Sequence, residues 1–297
     1  MPSRRYFLIV NLIAGQGRCK RAFPKVRLEL ERRGVDYDLH YTNEPHEATD
    51  VARMGVEAGF THIVAMGGDG TINEVANGLV GADATLAVIP AGKGNDFVRM
   101  MGMPADPLAA VELLGGGRER EIDLGVVDAD RHFVNGLGIG IDAQVARDVL
   151  RMERVRGAAA YMYAAVKQVF RFRAFPVTLR FGSEVLETAC ISLGIANGKY
   201  CGGGFKLAPR AEIEDGLLDV SAIADFPRVE RLIRLPQARK GAHLGLRQVT
   251  YKQADSVGVE SKAKLVAHMD GEPYALPREA FSVRVVPRAL RVLVPPA

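Results

Sequence analysis

From residue 6 to about residue 127 the chain alternates two apolar patterns. Short β-rich runs, at residues 6–11, 35–41, 62–66 and 86–90, have the length of strands. Each run is followed by a stretch with apolar residues every three or four positions, near residues 19–33, 46–58, 71–79 and 95–101, the spacing of a helix with one buried face. Strand and helix in alternation predict a parallel sheet with right-handed crossovers. Ligands of such sheets lie beyond the carboxyl ends of the strands. The polar and glycine-rich residues are at those ends: Asn11 to Gly15, Thr42, Gly67-Gly68-Asp69-Gly70-Thr71, and Pro90 through Lys93 and Asn95 to Asp96.

After about residue 128 the apolar runs, at residues 177–181, 189–196, 217–223, 247–252, 256–259, 265–269 and 281–286, are joined mostly by short polar turns, which predicts antiparallel hairpins in a sandwich or flattened barrel. Helical spacing interrupts them at 143–152, 158–172 and 227–239. The expected division is therefore an α/β domain over residues 1–128 and a β-sandwich domain over 129–297, with a last strand near 290–297 able to return to the first.

Composition narrows the class. With 48% apolar and 25% charged residues the chain is an ordinary globular protein, and a net charge of +4 is too small to mark a nucleic-acid binder. Three cysteines, Cys19, Cys190 and Cys201, form neither a paired framework nor a CxxC pattern, which points to a reducing, cytoplasmic setting. No run reaches the roughly 20 apolar residues of a membrane span, so any membrane contact is expected to be peripheral. Ser3-Arg4-Arg5-Tyr6 looks like a twin-arginine export signal, but Asn11 and Gly15 break the apolar segment behind it. It reads as the start of a first strand.

The turn Gly67-Gly68-Asp69-Gly70-Thr71 has three glycines in four positions ahead of a helix, which lets backbone approach a phosphate while the helix N-terminus offers N–H groups. A carboxylate beside phosphate makes sense when Mg²⁺ lies between them. A plain βα turn with an Asp cap accounts for the same residues. The next turn, Gly92-Lys93-Gly94-Asn95-Asp96, adds an acid, an amide and a cation at the same sheet edge, and the repetition favours a shared polyphosphate and magnesium site. Glu74 is read as complementing the helix dipole. A third glycine pattern, Gly138-x-Gly140-x-x-Ala143, lacks the acidic residue about 20 positions on and is read as structural. Near the C-terminus, Asp270-Gly271 ends a strand and suits a tight turn, while Glu212, Glu214 and Asp215 cluster in an acidic hairpin able to bind a hard cation or simply to be solvated.

In order, the segments Asn11 with Gly15, Gly67 to Thr71, Pro90 to Phe97, Asn197-Gly198 with Gly202-Gly203-Gly204, Asp215 to Asp219, and Asp270-Gly271-Glu272 resemble the diacylglycerol kinase catalytic-domain superfamily, in particular its bacterial soluble lipid kinases, which are similar to sphingosine and ceramide kinases. The resemblance spans nearly the whole chain. It implies a Rossmann-like parallel-sheet domain similar to NAD kinase and phosphofructokinase, a C-terminal antiparallel β-sandwich, and a cleft in which ATP phosphorylates a lipid hydroxyl. Carried over by position, it implies that ATP and Mg²⁺ meet Asn11, Gly15, Thr42, Gly67, Gly68, Asp69, Gly70, Thr71, Ile72, Asn73, Lys93, Asn95 and Asp96, with Asp69 and Asp96 in the ion network. Asp270 is implied as the general base. A second, structural Mg²⁺ is implied at Glu212, Asp215 and the carbonyl of Leu217. The chain departs from the family pattern at Leu12, where proline is usual, at Lys93, where a hydroxyl residue is usual, and at Glu212, where Asp is common.

A lipid acceptor requires contact with a bilayer, and Arg228, Arg231, Arg234, Arg239 and Lys240, interleaved with Val229, Leu232, Ile233 and Leu235, fit an anionic surface as well as they fit an ordinary helix. The expectation is an enzyme peripheral to the inner face of the membrane, with a homodimer compatible with exposed β-edges. Diacylglycerol, phosphatidylglycerol, sphingosine-like bases and ceramide satisfy the pattern alike. A kinase of a soluble acceptor such as NAD, or a binding protein that senses nucleotide or lipid, are the competing readings.

Overall fold

The computed structural model describes residues 5–129, 131–152 and 158–296, so Ser3 and Arg4 of the arginine motif lie outside the described residues. The chain divides into two units, one running to Leu124 and resuming at Pro287, the other spanning Gly125–Val286.

The first unit is built from β1 (Arg5–Val10), α1 (Ala14–Arg32), β2 (Asp36–Tyr41), α2 (Glu47–Glu57), β3 (His62–Gly67), α3 (Asp69–Leu79), β4 (Thr85–Pro90), α4 (Asp96–Met100), α5 (Pro107–Gly116) and most of β5 (Arg118–Val127). Strands β2, β1, β3 and β4 pair in that order, all parallel. Every residue of β3 and β4 is buried, as expected for parallel strands covered on both faces. Burying each of Ile63, Val64, Leu86 and Ile89 contributes on the order of 2 kcal/mol. Helix α5 escapes the periodicity analysis because its sequence, PLAAVELLGG, is apolar nearly all round. Its start is nonetheless written locally: Asp106 accepts the Ala109 N–H at 3.1 Å and Pro107 occupies the first turn.

The second unit holds β6 (Arg131–Phe133), β7 (Gly136–Gly140), α6 (Ile141–Leu150), α7 (Ala158–Arg171), β8 (Phe175–Phe181), β9 (Glu184–Ala196), β10 (Leu218–Ala224), α8 (Arg228–Lys240), β11 (Val249–Ala254), β12 (Ser256–Glu260), β13 (Ala267–Met269), β14 (Glu272–Tyr274) and the first half of β15 (Ala280–Val294). The order β14-β13-β7-β9-β8-β12-β15 is antiparallel, and β10 pairs with β9 and β11. Inward residues such as Phe133, Ile139, Leu179, Leu193, Ile195 and Val283 form its core. The two runs expected at 281–286 and 291–294 are one strand. Arg288 bridges them at φ 50, and its N–H donates to the buried Asp123 at 2.8 Å. Arg291 and Val292 pair in parallel with Thr85 and Leu86 of β4.

Candidate active site

Three turns of the first unit meet backbone to backbone. Asn11, just after β1, donates its N–H to Met66 O at 3.0 Å and its Nδ2 to Thr71 Oγ1 at 3.1 Å, tying the end of β1 to the first turn of α3. Ala91, just after β4, donates to Gly67 O at 2.7 Å. A Cβ on Gly67 would lie 2.4 Å from Thr71 Oγ1, one on Gly92 would lie 2.6 Å from Gly68 Cα, and one on Gly15 would lie 2.2 Å from Ala91 O. Gly15 is also left-handed, at φ 61, as are Gln16 and Gly17, so the helical part of α1 follows this turn. Glycine at these positions is a packing requirement.

The acids sit inside this cluster. Asp69 opens α3, and its Oδ1 accepts the Phe97 N–H at 3.3 Å, which caps α4. Asp96, the first residue of α4, is 5% exposed and accepts Arg99 Nη1 at 2.7 Å. The two carboxylates from successive crossovers are therefore joined through one helix start. Asn95 precedes Asp96 at φ 51, and Oδ1 of both Asn95 and Asn11 is buried without a protein partner. Lys93 is exposed, and Thr42 caps the end of β2 by donating to Val10 O at 3.0 Å. Asp69, Gly70 and Thr71 form the first turn of α3, whose N–H groups have no carbonyl within their own helix. Asn73 is buried and accepts Asn77 Nδ2.

Two expectations are corrected here. Ile72 presents nothing to a ligand, because its side chain is wholly in the core and its N–H is spent on Gly68 O at 3.0 Å. Glu74 does not serve its own helix. It accepts the N–H groups of His46 and Ala48 at 3.2 and 3.3 Å and so caps α2, whose N-cap His46 is left-handed and makes no cap of its own.

In the second unit, Asp270 and Gly271 form the two-residue turn between β13 and β14, both at positive φ (49 and 90). Unlike a solvated turn residue, Asp270 is 6% exposed. Its Oδ1 accepts the N–H groups of Asn135 and Gly136, and its Oδ2 that of Val134, all at 2.8 Å. Asn197, fully buried, holds the same segment from behind: its Nδ2 donates to Val134 O and its N–H to Asn135 O. The sequence motif contained Asn197, but its part in seating Asp270 comes from a strand pairing that spacing does not reveal.

Glu212 and Asp215 are exposed, and Asp215 accepts the Leu217 N–H at 3.0 Å. Two residues on, Asp219 is fully buried at the start of β10. Its Oδ1 accepts the Tyr251 hydroxyl, while its Oδ2 is buried without a partner. Burial pushes the Asp219 carboxyl up, Tyr251 and Gln253 pull it down, and the negative charges of Asp215 and Glu212 push it up further. Among the described residues no three Asp, Glu, His or Cys side chains converge on a metal position. A cation here would therefore need a carbonyl ligand as well.

Fold and site together define a phosphotransferase in which glycine-lined turns and paired acids stand at the carboxyl edge of a parallel sheet. Residues 5–127 match the model of the diacylglycerol kinase catalytic domain, and residues 136–294 match the YegS C-terminal NAD kinase beta sandwich-like domain. The chain is 31% identical over 293 residues to the diacylglycerol kinase of Mycobacterium tuberculosis (strain ATCC 25618 / H37Rv), covering 97% of this chain and 94% of that one. It is 33% identical to a Pseudomonas putida protein named "Probable lipid kinase YegS-like", covering 90% and 88%. The crystal structure of a diacylglycerol kinase from Bacillus anthracis str. Sterne superposes with a TM-score of 0.75 at 22% identity, covering 100% and 98%, which shows a shared fold. The chain belongs to the bacterial diacylglycerol kinase and YegS-like lipid kinase family. It is a kinase that phosphorylates an alcohol group. None of its helices is long and apolar enough to cross a membrane, among the described residues.

Proposed function

We propose that this kinase transfers the γ-phosphoryl group of ATP, in complex with Mg²⁺, to a hydroxyl of diacylglycerol or a closely related lipid. The observation that carries the reading is the seating of Asp69 against the start of α4 beside Asp96, within turns where Gly67 and Gly92 leave no space for a side chain. The buried, unpartnered Oδ1 atoms of Asn11 and Asn95 and the paired acids fit a metal-bound polyphosphate. Asp69 and Asp96 would hold the ion, while Asn11, Thr42, Gly70, Thr71 and Asn73 line the nucleotide and Lys93 meets phosphate charge. Bound there, Mg²⁺ supplies neutralisation of the charge on the transferring group. Asp270 accepts the proton of the lipid hydroxyl, a role suited to a carboxylate whose direction is fixed by three amides. Glu212, Asp215 and the Leu217 carbonyl hold a second cation, and the unpartnered Oδ2 of Asp219 next to them fits a positive neighbour.

The enzyme reaches its acceptor from the inner membrane face through helices of the second unit. Met162, Tyr163, Val166 and Phe170 of α7 are 37–62% exposed and fall on one helix face, and Val229 and Ile233 do the same on α8. Residues 147–173 contain seven Lys and Arg against two Asp and Glu, more net positive charge than the whole chain carries. The surface differs from the arginine row expected on α8. Arg231 is buried, donating to Asp225 and to the carbonyls of Val169 and Phe172, and Arg234 pairs with Glu230. Leu235 and Arg239 lie outside the described side chains.

The test is transfer of label from [γ-³²P]ATP to a bacterial lipid extract, with NAD as the competing acceptor. Label in a glycerolipid is expected. Label in NAD, or in no acceptor, would overturn the reading.

A further inference from the structure

The residues of the glycine pattern at 138–143 surround a buried imidazole. Gly138 on β7 pairs with His268 on β13. A Cβ on Gly138 would lie 2.2 Å from His268 Nε2 and 2.5 Å from Asp142 Oδ2, so the absent side chain is the space in which those two groups meet. His268 is 3% exposed. Its Nε2 lies 3.1 Å from Asp142 Oδ2 in the first turn of α6 and 3.9 Å from Cys201 Sγ. On the far side of the ring, Nδ1 accepts the Gly271 N–H at 3.3 Å. One neutral form serves both contacts, with the lone pair on Nδ1 and the proton on Nε2 directed at Asp142.

Gly271 is the second residue of the turn whose first residue is Asp270. We propose that His268 is a positioning residue for Asp270: Asp142 fixes the ring, Nδ1 fixes the Gly271 N–H, and the turn is thereby held where the Asp270 carboxylate meets the amides of Val134, Asn135 and Gly136. The inference rests on the reading of Asp270 as proton acceptor. The groups facing the ring are Asp142 from α6, Cys201 from the 201–205 hairpin, and Asp270 at the end of the ring's own strand. A second proton could only occupy Nδ1, where it would turn the acceptor of the Gly271 N–H into a donor, so the contact belongs to the neutral ring.

The test compares three substitutions. His268→Ala is expected to lower kcat by about ten- to a hundredfold, the scale of a misplaced catalytic group, with KM for Mg-ATP unchanged. His268→Asn places an amide oxygen near the position of Nδ1, and should restore kcat. His268→Gln places its polar end near Nε2 and should not restore it. Hydrogen exchange supplies a readout independent of the substrate: the amides of residues 134–136 should lose protection in His268→Ala and regain it in His268→Asn. Unchanged protection in His268→Ala, or Asn performing no better than Gln, would overturn the proposal. Wild-type protein that phosphorylates no lipid, with the exchange pattern as expected, would overturn the assigned reaction and leave the positioning contact standing.

Discussion

Replacing Gly92 by alanine tests the glycine-lined site with one methyl group. The new Cβ would stand 2.6 Å from both Gly68 Cα and Asn95 Oδ1, where ordinary van der Waals contact begins at 3.4 Å. One obstacle is backbone, so the turns after β3 and β4 must separate by about 0.8 Å, since overpacked sites relieve strain by backbone shifts. Such overpacking costs about 1–3 kcal/mol of stability, a fall in Tm of roughly 2–10 °C for a protein of this size. The movement also parts Asp69 from the start of α4, and a displacement approaching 1 Å in a positioning contact costs up to about a hundredfold in rate. The assay is thermal unfolding followed by steady-state kinetics with varied Mg-ATP, with Gly115→Ala as control. That glycine lies in α5 at ordinary φ with no atom within 4 Å of its would-be Cβ, so alanine there should stabilise by about 0.5–1 kcal/mol. Unaltered Tm and unaltered kcat/KM for ATP in Gly92→Ala would show that the close approach of the two turns is not required.

Asp270→Asn is expected to retain ATP binding by calorimetry and to lose turnover by orders of magnitude, because the amide keeps the shape of the group and cannot take the acceptor proton. Asp219 has its carboxyl raised above the unfolded value, so its ionised form opposes folding at pH above that raised value, and the penalty disappears as pH falls through it. Accordingly, Asp219→Asn should raise Tm at pH 7.5 in EDTA, and added Mg²⁺ should raise the Tm of the wild type more than that of Asp215→Asn. Phe170→Glu places a charge on the exposed face of α7 and should abolish co-sedimentation with phosphatidylglycerol vesicles while leaving Tm unchanged. Glu47 accepts the N–H groups of Asn43 and Glu44 and faces His40, contacts that lower its carboxyl to about 2. Its contribution to stability is present above the ordinary carboxyl range and is lost as pH falls toward 2, so Glu47→Gln should flatten the acid limb of a stability profile measured by urea unfolding.

The parallel sheet is legible because β1, β3 and β4 are largely apolar runs, while β2, DYDLHY, is legible only from its place in the alternation; the recurrence of glycine and acid in the turns after β3 and β4 is equally plain in the sequence. Close packing of the turns was not, since Gly67 is constrained by Thr71 and Gly92 by Gly68, and no local pattern records which backbones touch. Burial was equally hidden. Asp270 reads as a solvated turn residue until the amides of residues 134–136 arrive from a strand far away in sequence. Arg231 reads as a surface cation until the carbonyls at the end of α7 are found around it. His268 has no spacing signature, being a single histidine beside an Asp-Gly turn, and Gly138 is its sequence trace.

Strand β15 has a consequence for how the protein is made. Near its end, Arg291 and Val292 complete the parallel sheet of the first unit by pairing with β4, yet they are translated only after the entire second unit. At typical synthesis rates of 5–20 residues per second, β4 waits on the ribosome for on the order of ten seconds or more with one edge uncovered. Nascent chains stalled short of residue 287 would carry an open, largely apolar parallel strand, and expression of residues 1–128 alone should yield aggregates unless residues 287–294 are supplied in trans.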